Sequence, residues 1–225
     1  MAKLVITIDG PAGGGKSSTA KLLATKLGAA FLDTGAMYRA ATLAAMRKNC
    51  DFNNVVQLVK IIDDTDFQFE ITSGQIIVKI NGSNATEDIR SPQVTANVRF
   101  IANEPSLREK LVAAQRAFAA RYEKIVTEGR DQGTVVFPNA DFKFFLTADN
   151  AERAKRRAKE LAESGYKIDV NKLQQEIESR DKQDTTRKVA PLAAAADAIT
   201  IDTTHLTLEQ VVEKMLGIIN SKNKK

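Results

Sequence analysis

Gly10-Pro11-Ala12-Gly13-Gly14-Gly15-Lys16-Ser17-Ser18 follows the apolar run Leu4-Val5-Ile6-Thr7-Ile8 and precedes a stretch with helical spacing. The nine residues contain G-x-x-x-x-G-K-S, in the strand–loop–helix context that a phosphate-binding loop needs. Glycines let the backbone turn its N–H groups inward around a polyphosphate, at angles a Cβ would forbid. The helix that follows adds the positive end of its dipole. Lys16 is placed to reach the β- and γ-phosphates, and the Ser17 hydroxyl to ligand Mg2+. A glycine-rich turn capping an ordinary helix is the plain alternative, and the complete context argues against it.

Outward from the loop the chain alternates. Residues 4–8 are apolar almost throughout, as in a strand of a parallel sheet covered on both faces. Lys16 to Leu27 reads as a helix with Leu22, Leu23 and Leu27 on its inner side, ended by Gly28. A short strand at Ala30–Leu32 leads into Asp33-Thr34-Gly35 and a helix from Ala36 to about Lys48, with a further helix over about Asn54–Asp63. Phe67-Gln68-Phe69-Glu70-Ile71 then alternates, Ser73-Gly74 turns, Ile76–Ile80 is apolar, and Asn81-Gly82 is a hairpin signal. A small antiparallel insert over residues 66–89 is therefore expected.

Helical spacing returns over about Ser91–Ala102 and Ser106–Arg121, and core strands are expected at Lys124–Thr127 and Phe142–Leu146. Two charged helices, about Ala151–Ser164 and Val170–Lys182, precede a last strand at Ile199–Ile201. The last helix, Leu208–Ile219, turns Val211, Val212, Met215 and Leu216 inward. The expected fold is α/β, of the P-loop NTPase type: three layers, α/β/α, around a central parallel sheet, with ligands at the carboxyl ends of the strands.

Composition agrees. A chain of 225 residues suits one domain with its own core. Hydrophobic residues at 43% and charged residues at 27% are those of a soluble globular protein. No apolar run approaches a membrane span, and the N-terminal one stops at Asp9, too early for a secretory signal. The single cysteine, Cys50, allows no internal disulfide and fits a reducing cytoplasm. The lone His205 cannot build a multi-histidine metal site; it precedes the capping-box pattern Thr207-x-x-Gln210 and reads as an exposed loop residue. A net charge of +5 suits either nucleic acid or a pocket for several phosphates, and the tail, residues 221–225, supplies part of it. Aromatic residues are only 6%, with no cluster to stack bases, so no specific nucleic-acid partner is expected.

Three further constellations address where a phosphoryl group would go. In Asp33-Thr34-Gly35-Ala36-Met37-Tyr38-Arg39, Thr34 and a helix N-terminus offer donors and Arg39 can clamp a phosphate, although an N-cap with a surface arginine looks the same. In Glu128-Gly129-Arg130-Asp131 a strand delivers a carboxylate toward a metal or its waters and an arginine toward an acceptor phosphate; a strand-end ion pair is the alternative. In Arg180-Asp181-x-x-Asp184-x-x-Arg187 one helical face could present two guanidinium groups and a carboxylate, as could ordinary i, i+4 salt bridges or a lid. Arg153, Arg156 and Arg157 form a similar cluster, either a solvated face or lid arginines.

With Ile89-Arg90-Ser91-Pro92, Gly129-Arg130-Asp131-Gln132-Gly133-Thr134-Val135-Val136-Phe137-Pro138, Pro191-Leu192 and Asp197-Ala198 added, these motifs resemble the bacterial cytidylate (CMP) kinases, in that family's order and over essentially the whole chain. The resemblance implies a P-loop nucleoside monophosphate kinase of one domain, with the antiparallel insert in the CMP-binding region and a helical lid over about 151–188. It implies that Gly10, Pro11, Ala12, Gly13, Gly14, Gly15, Lys16, Ser17 and Ser18 bind ATP, with Ser17 at Mg2+. Thr34, Arg39 and Arg130 would hold the CMP phosphate, Arg108, Asp131 and Arg187 would face the cytosine, and Arg180 with Asp184 the sugar. Arg156 or Arg157 would act at the transferring phosphoryl group beside Lys16, Arg130 and Asp131. The partners implied are CMP and dCMP, for a cytoplasmic, monomeric chain without membrane contact. Two positions depart from the family pattern: Arg99 stands where a small serine that touches the base is usual, and Gln132 where an apolar residue is usual.

The chemistry also stands without the resemblance. A monophosphate oxygen is already anionic at neutral pH and needs no general base, which suits a chain with one histidine. Catalysis is then in-line positioning and charge neutralisation. A kinase for another acceptor, such as UMP, dTMP or a small metabolite, is the nearest alternative. A guanine-nucleotide switch is further off, because Asn171-Lys172-Leu173-Gln174 lacks the closing Asp of Asn-Lys-x-Asp.

Overall fold

Residues 4–72, 75–163 and 169–222 are described by the structure, a computed structural model. The expected Ser73-Gly74 turn, Ser164 and residues 223–225 lie outside them. Ile6, Thr7 and Ile8 of β1 (Leu4–Asp9) are all fully buried, so neither face of the strand meets water. That is the burial a centrally placed parallel strand requires. β1 pairs in parallel with β7 (Phe142–Thr147), Ile6 opposite Phe142 and Ile8 opposite Phe144, and β7 pairs in parallel with β8 (Ile199–Asp202). With β2 (Ala30–Asp33) and β6 (Lys124–Gly129) they form a five-stranded sheet in the order β2-β6-β1-β7-β8. A second sheet is antiparallel, in the order β3 (Phe67–Thr72), β4 (Gln75–Ile80), β5 (Ser83–Asn84). Asn81 and Gly82, both at positive φ, make the turn between β4 and β5, as the Asn-Gly pair predicts.

The chain divides into two compact units, one formed by Gly28–Ile125 and the other by Leu4–Leu27 with the chain from Val126 onward. The first holds the antiparallel sheet and four helices: α2 (Thr34–Arg47), α3 (Val55–Asp63), α4 (Pro92–Asn103) and α5 (Pro105–Ala119). Ala40, Ala41, Ala44 and Ala45 give α2 a small buried face against which α4 packs closely. Ser91 caps α4 by accepting from the Val94 N–H at 3.4 Å, with Pro92 at the first helical position. Pro105 separates α4 from α5, and Glu104 caps the second of them.

In the second unit, α1 (Lys16–Leu27) buries Thr19, Ala20, Leu23 and Ala24. Of the leucines expected to face inward Leu23 does so, whereas Leu22 and Leu27 are only half-buried, because small residues share the core-facing stripe with Leu23. In α8 (Leu208–Lys222) the buried stripe is Val211, Val212, Met215 and Ile219; Leu216 has drifted off it. Thr207 and Gln210 exchange the bonds of a capping box, at 2.9 and 3.3 Å, and His205 is exposed beside them. α6 (Asn150–Glu163) and α7 (Val170–Thr186) pack through Ala154, Leu173 and Ile177. α7 runs past Lys182, so Arg180 and Asp184 both lie on it, whereas Arg187 follows its end with extended backbone. Of the readings left open for 180, 184 and 187, a single helical face carrying all three is not the one formed. No helix among the described residues is long and apolar enough to cross a membrane.

Gly10 shows how tightly β1 and β7 are joined at the loop. A Cβ there would lie 2.2 Å from the Leu146 carbonyl oxygen, at a φ of +148°. Gly10→Ala should therefore destabilise the fold by about 2–4 kcal/mol. Urea denaturation followed by circular dichroism measures this, and a change below about 1 kcal/mol would contradict the packing described.

Candidate active site

The loop after β1 carries the chain straight into α1, so the first N–H groups of that helix open onto residues 10–15. Lys16 is buried, and its amine donates across the loop to the Pro11 carbonyl at 2.7 Å. The Ser17 hydroxyl donates to Oε1 of Glu128, at 2.8 Å, near the end of β6. Serine and carboxylate oxygens are hard ligands, and Mg2+ in nucleotide sites takes most of its remaining shell from water and phosphate. Among the described residues, no group of three or more His, Cys, Asp or Glu side chains is gathered for a metal.

Asp9, the last residue of β1, marks only the end of an apolar run in the sequence, yet it organises a segment far along the chain. Its two carboxylate oxygens accept from the N–H groups of Gln132 at 2.9 Å and Gly133 at 2.8 Å, fixing a turn of π-helix over Gln132–Val136. Burial pushes the Asp9 carboxyl up to about 6, against the pull of those two donors. The signal that could have found it is a carboxylate closing a core strand immediately before the glycine loop. Gln132 is buried too, and its Oε1 accepts from the Thr127 hydroxyl at 2.8 Å, so a polar side chain is satisfied there.

Arg130 and Asp184 meet at 2.8 Å. Burial opposes the charge on Arg130, but the carboxylates around it, Asp184 first and then Glu128 and Asp181, outweigh burial and hold the guanidinium protonated. Arg180 acts on the Lys16 charge as well. Burial, and then Arg130, push the Lys16 ammonium down to about 7. Arg187 Nη2 lies 3.9 Å from Asp131, with both side chains buried. Lys16, Arg130, Asp131, Arg180, Asp184 and Arg187 therefore all belong to the unit that carries the loop. Arg156 does too: it donates to the Thr203 carbonyl at 2.6 Å, and a Cβ on Gly15 would lie 4.0 Å from it. Arg157 pairs with Glu160 on a more exposed part of α6. The structure thus separates two arginines that the sequence could not tell apart.

The other unit holds Thr34, Arg39 and Arg108. Asp33 caps α2 by accepting from the Ala36 N–H at 3.0 Å, and Thr34 is buried in the first turn. Arg39 folds back so far that a Cβ on Gly35 would lie 2.7 Å from its Nη1. A helix N-terminus, a hydroxyl and a guanidinium thus converge on one turn. Arg108 is buried, donates to the Ala102 carbonyl at 3.0 Å and lies 5.6 Å above the Tyr38 ring.

The cytidylate kinase family model matches residues 6–221. The chain belongs to the cytidylate kinase family. It is 47% identical over 218 residues to a cytidylate kinase of Caldicellulosiruptor saccharolyticus, covering 97% of this chain and 96% of the relative. It is 46% identical to that of Clostridium tetani, covering 97% and 95%, and 43% identical to that of Geobacillus thermodenitrificans, covering 98% of each. Against the family pattern, Arg99 is exposed on α4 with its guanidinium 4.9 Å from the Phe100 ring, which in turn stacks on Phe52 at 5.3 Å.

A consequence follows for any polyphosphate that this family member binds. Burial and the neighbouring cations push the Lys16 ammonium down to about 7, so rising pH through that range favours the neutral amine. A bound polyphosphate favours the charged form, so binding takes up protons and weakens as pH rises above 7. Calorimetry of ADP binding at pH 8, in two buffers of different ionisation enthalpy, should show uptake of most of a proton. Proton-neutral binding would contradict the buried state of Lys16.

Proposed function

We propose that this chain transfers the γ-phosphoryl group of Mg·ATP to CMP or dCMP, giving ADP and CDP or dCDP. The observation that carries this is the crowd of cations beside the loop lysine, with Arg130 and Arg180 both raising the cost of its charge. A loop built for a triphosphate alone has no need of them; a second phosphate-bearing substrate does. The acceptor's identity is supported by full-length relatives that are named cytidylate kinases.

In this proposal the residues of the loop, 10–18, cradle ATP, with Lys16 on its outer phosphates and Arg156 beside Gly15. Ser17 and Glu128 would hold Mg2+, which would supply charge neutralisation at the transferring phosphates. In the unit of the loop, Arg130 would serve the acceptor phosphate, Arg180 and Asp184 the sugar, and Asp131 and Arg187 the cytosine; in the other unit, Thr34 and Arg39 are groups for a phosphate and Arg108 for a base. Donor and acceptor groups on a guanidinium and a carboxylate match the cytosine edge, and a wrong base leaves them unpaired. The chain's own chemistry is alignment and charge, because the acceptor oxygen arrives ionised. A cytoplasmic location belongs to the same proposal and rests on the single cysteine.

Coupled assays of ADP release with CMP, dCMP, UMP and dTMP test this. CMP or dCMP should give the highest kcat/KM, and no CMP-dependent release would overturn the proposal. Faster turnover of UMP or dTMP would transfer it to the rival acceptor. Because Arg99 lies on Phe100, Arg99→Ser should leave the CMP-to-UMP preference within about threefold of the parent. A larger change would place Arg99 at the base.

A further inference from the structure

Asp181 of α7 belongs to none of the substrate sets above, yet it reaches the loop. Asp181 Oδ1 accepts from the Ala12 N–H at 3.2 Å, and its Oδ2 accepts from Arg153 Nη1. The same Nη1 donates to the Ala12 carbonyl at 2.8 Å. One loop residue is thus gripped at both its polar backbone atoms, by one side chain from α6 and one from α7. Arg153 is only 4% exposed and is engaged along its whole fork, with Nε on the Ala148 carbonyl at 3.1 Å and Nη2 on Asn150. The loop also lies directly on α6: a Cβ on Gly13, whose φ is +73°, would sit 3.1 Å from the Arg153 carbonyl oxygen and 3.2 Å from its Cβ.

We propose that Asp181 and Arg153 are positioning residues of the donor loop, locking the backbone at Ala12 so that the N–H groups that follow are already aimed when a polyphosphate arrives. A loop ordered beforehand loses less entropy on binding. Arg153 has a second effect, since it neutralises a carboxylate that would otherwise repel phosphate close to the loop. The proposal rests on reading residues 10–18 as the donor site and is independent of which acceptor is used.

The test combines hydrogen exchange of the loop in the nucleotide-free protein with calorimetric Kd values for ADP and for CMP, in the parent, Asp181→Ala and Asp181→Asn. Asp181→Ala should speed exchange over residues 12–15 and raise the ADP Kd about tenfold, while the CMP Kd stays within about twofold. Asp181→Asn keeps an acceptor for the Ala12 N–H and should fall between. Unchanged exchange and unchanged ADP affinity would overturn the proposal. Equal losses of ADP and CMP binding with a lowered Tm would overturn it too, because the pair would then only hold α6 to α7. If Asp181→Ala does not fold, Arg153→Lys, which keeps the charge and loses the fork, is judged by the same criteria. A parent chain that binds no ADP would refute the donor-site reading, while the exchange comparison would still decide whether the clamp orders the loop.

Discussion

A buried ammonium among other cations is the constraint on which this site depends. Lys16 is out of water, close enough to Arg130 and Arg180 to feel both, and it is pushed down to about 7. Desolvation and like charge both disfavour the protonated amine, and the only relief on offer is anions. The protein supplies some of its own, with Glu128 and Asp9 acting on Lys16 and Asp184 paired to Arg130. These carboxylates offset part of what burial and the neighbouring cations cost the charge on Lys16. A polyphosphate completes the balance, which makes its binding selective for charge before any shape is read.

The sheet is what brings these groups to one place. β1 ends at Asp9 and opens into the loop, while β6 ends in Glu128 and Gly129 and hands on Arg130 and Asp131. Asp9 then ties the two strand ends together by holding the Gln132 and Gly133 amides. The buried carboxylate would be costly alone, but two backbone donors satisfy it, and in exchange the turn carrying Asp131 is fixed relative to the loop. α7 contributes from the other side through Arg180, Asp181 and Asp184, spaced so that all three belong to one end of a single helix.

Much of this was legible in the chain itself. The loop, the order of strands and helices, the Asn81-Gly82 turn and the capping box at Thr207 follow from local rules that do not require knowing what packs where. What was not legible depended on packing partners. Of the three leucines expected on the inner face of α1 only Leu23 is buried, and Thr19, Ala20 and Ala24 share that face with it while Leu22 and Leu27 stay half-exposed. Arg153, Arg156 and Arg157 are one charge run in sequence, and only their partners, the Ala12 carbonyl, the Thr203 carbonyl and Glu160, distinguish them. Asp9 went unread as an organiser for the same reason: a buried polar group is recognised by what satisfies it, and for Asp9 the satisfying groups are more than a hundred residues away.

Each unit also contains a version of the same anion-binding device, and the differences between them scale with the proposed ligands. After β1 the chain inserts a glycine-rich loop before α1, giving many inward N–H groups, and the cation Lys16 lies back on the loop at Pro11. After β2 the chain enters α2 with no loop at all, since Asp33 ends the strand and Thr34 begins the helix. The cation there is Arg39, lying back over Gly35. A long nest of amides with a compact ammonium suits several phosphates in a row, whereas one helix turn with a planar fork suits a single phosphate. The strand-to-helix spacing alone, six residues from Gly10 to Gly15 in one case and none in the other, therefore separates a cradle long enough for several phosphates from one sized for a single phosphate.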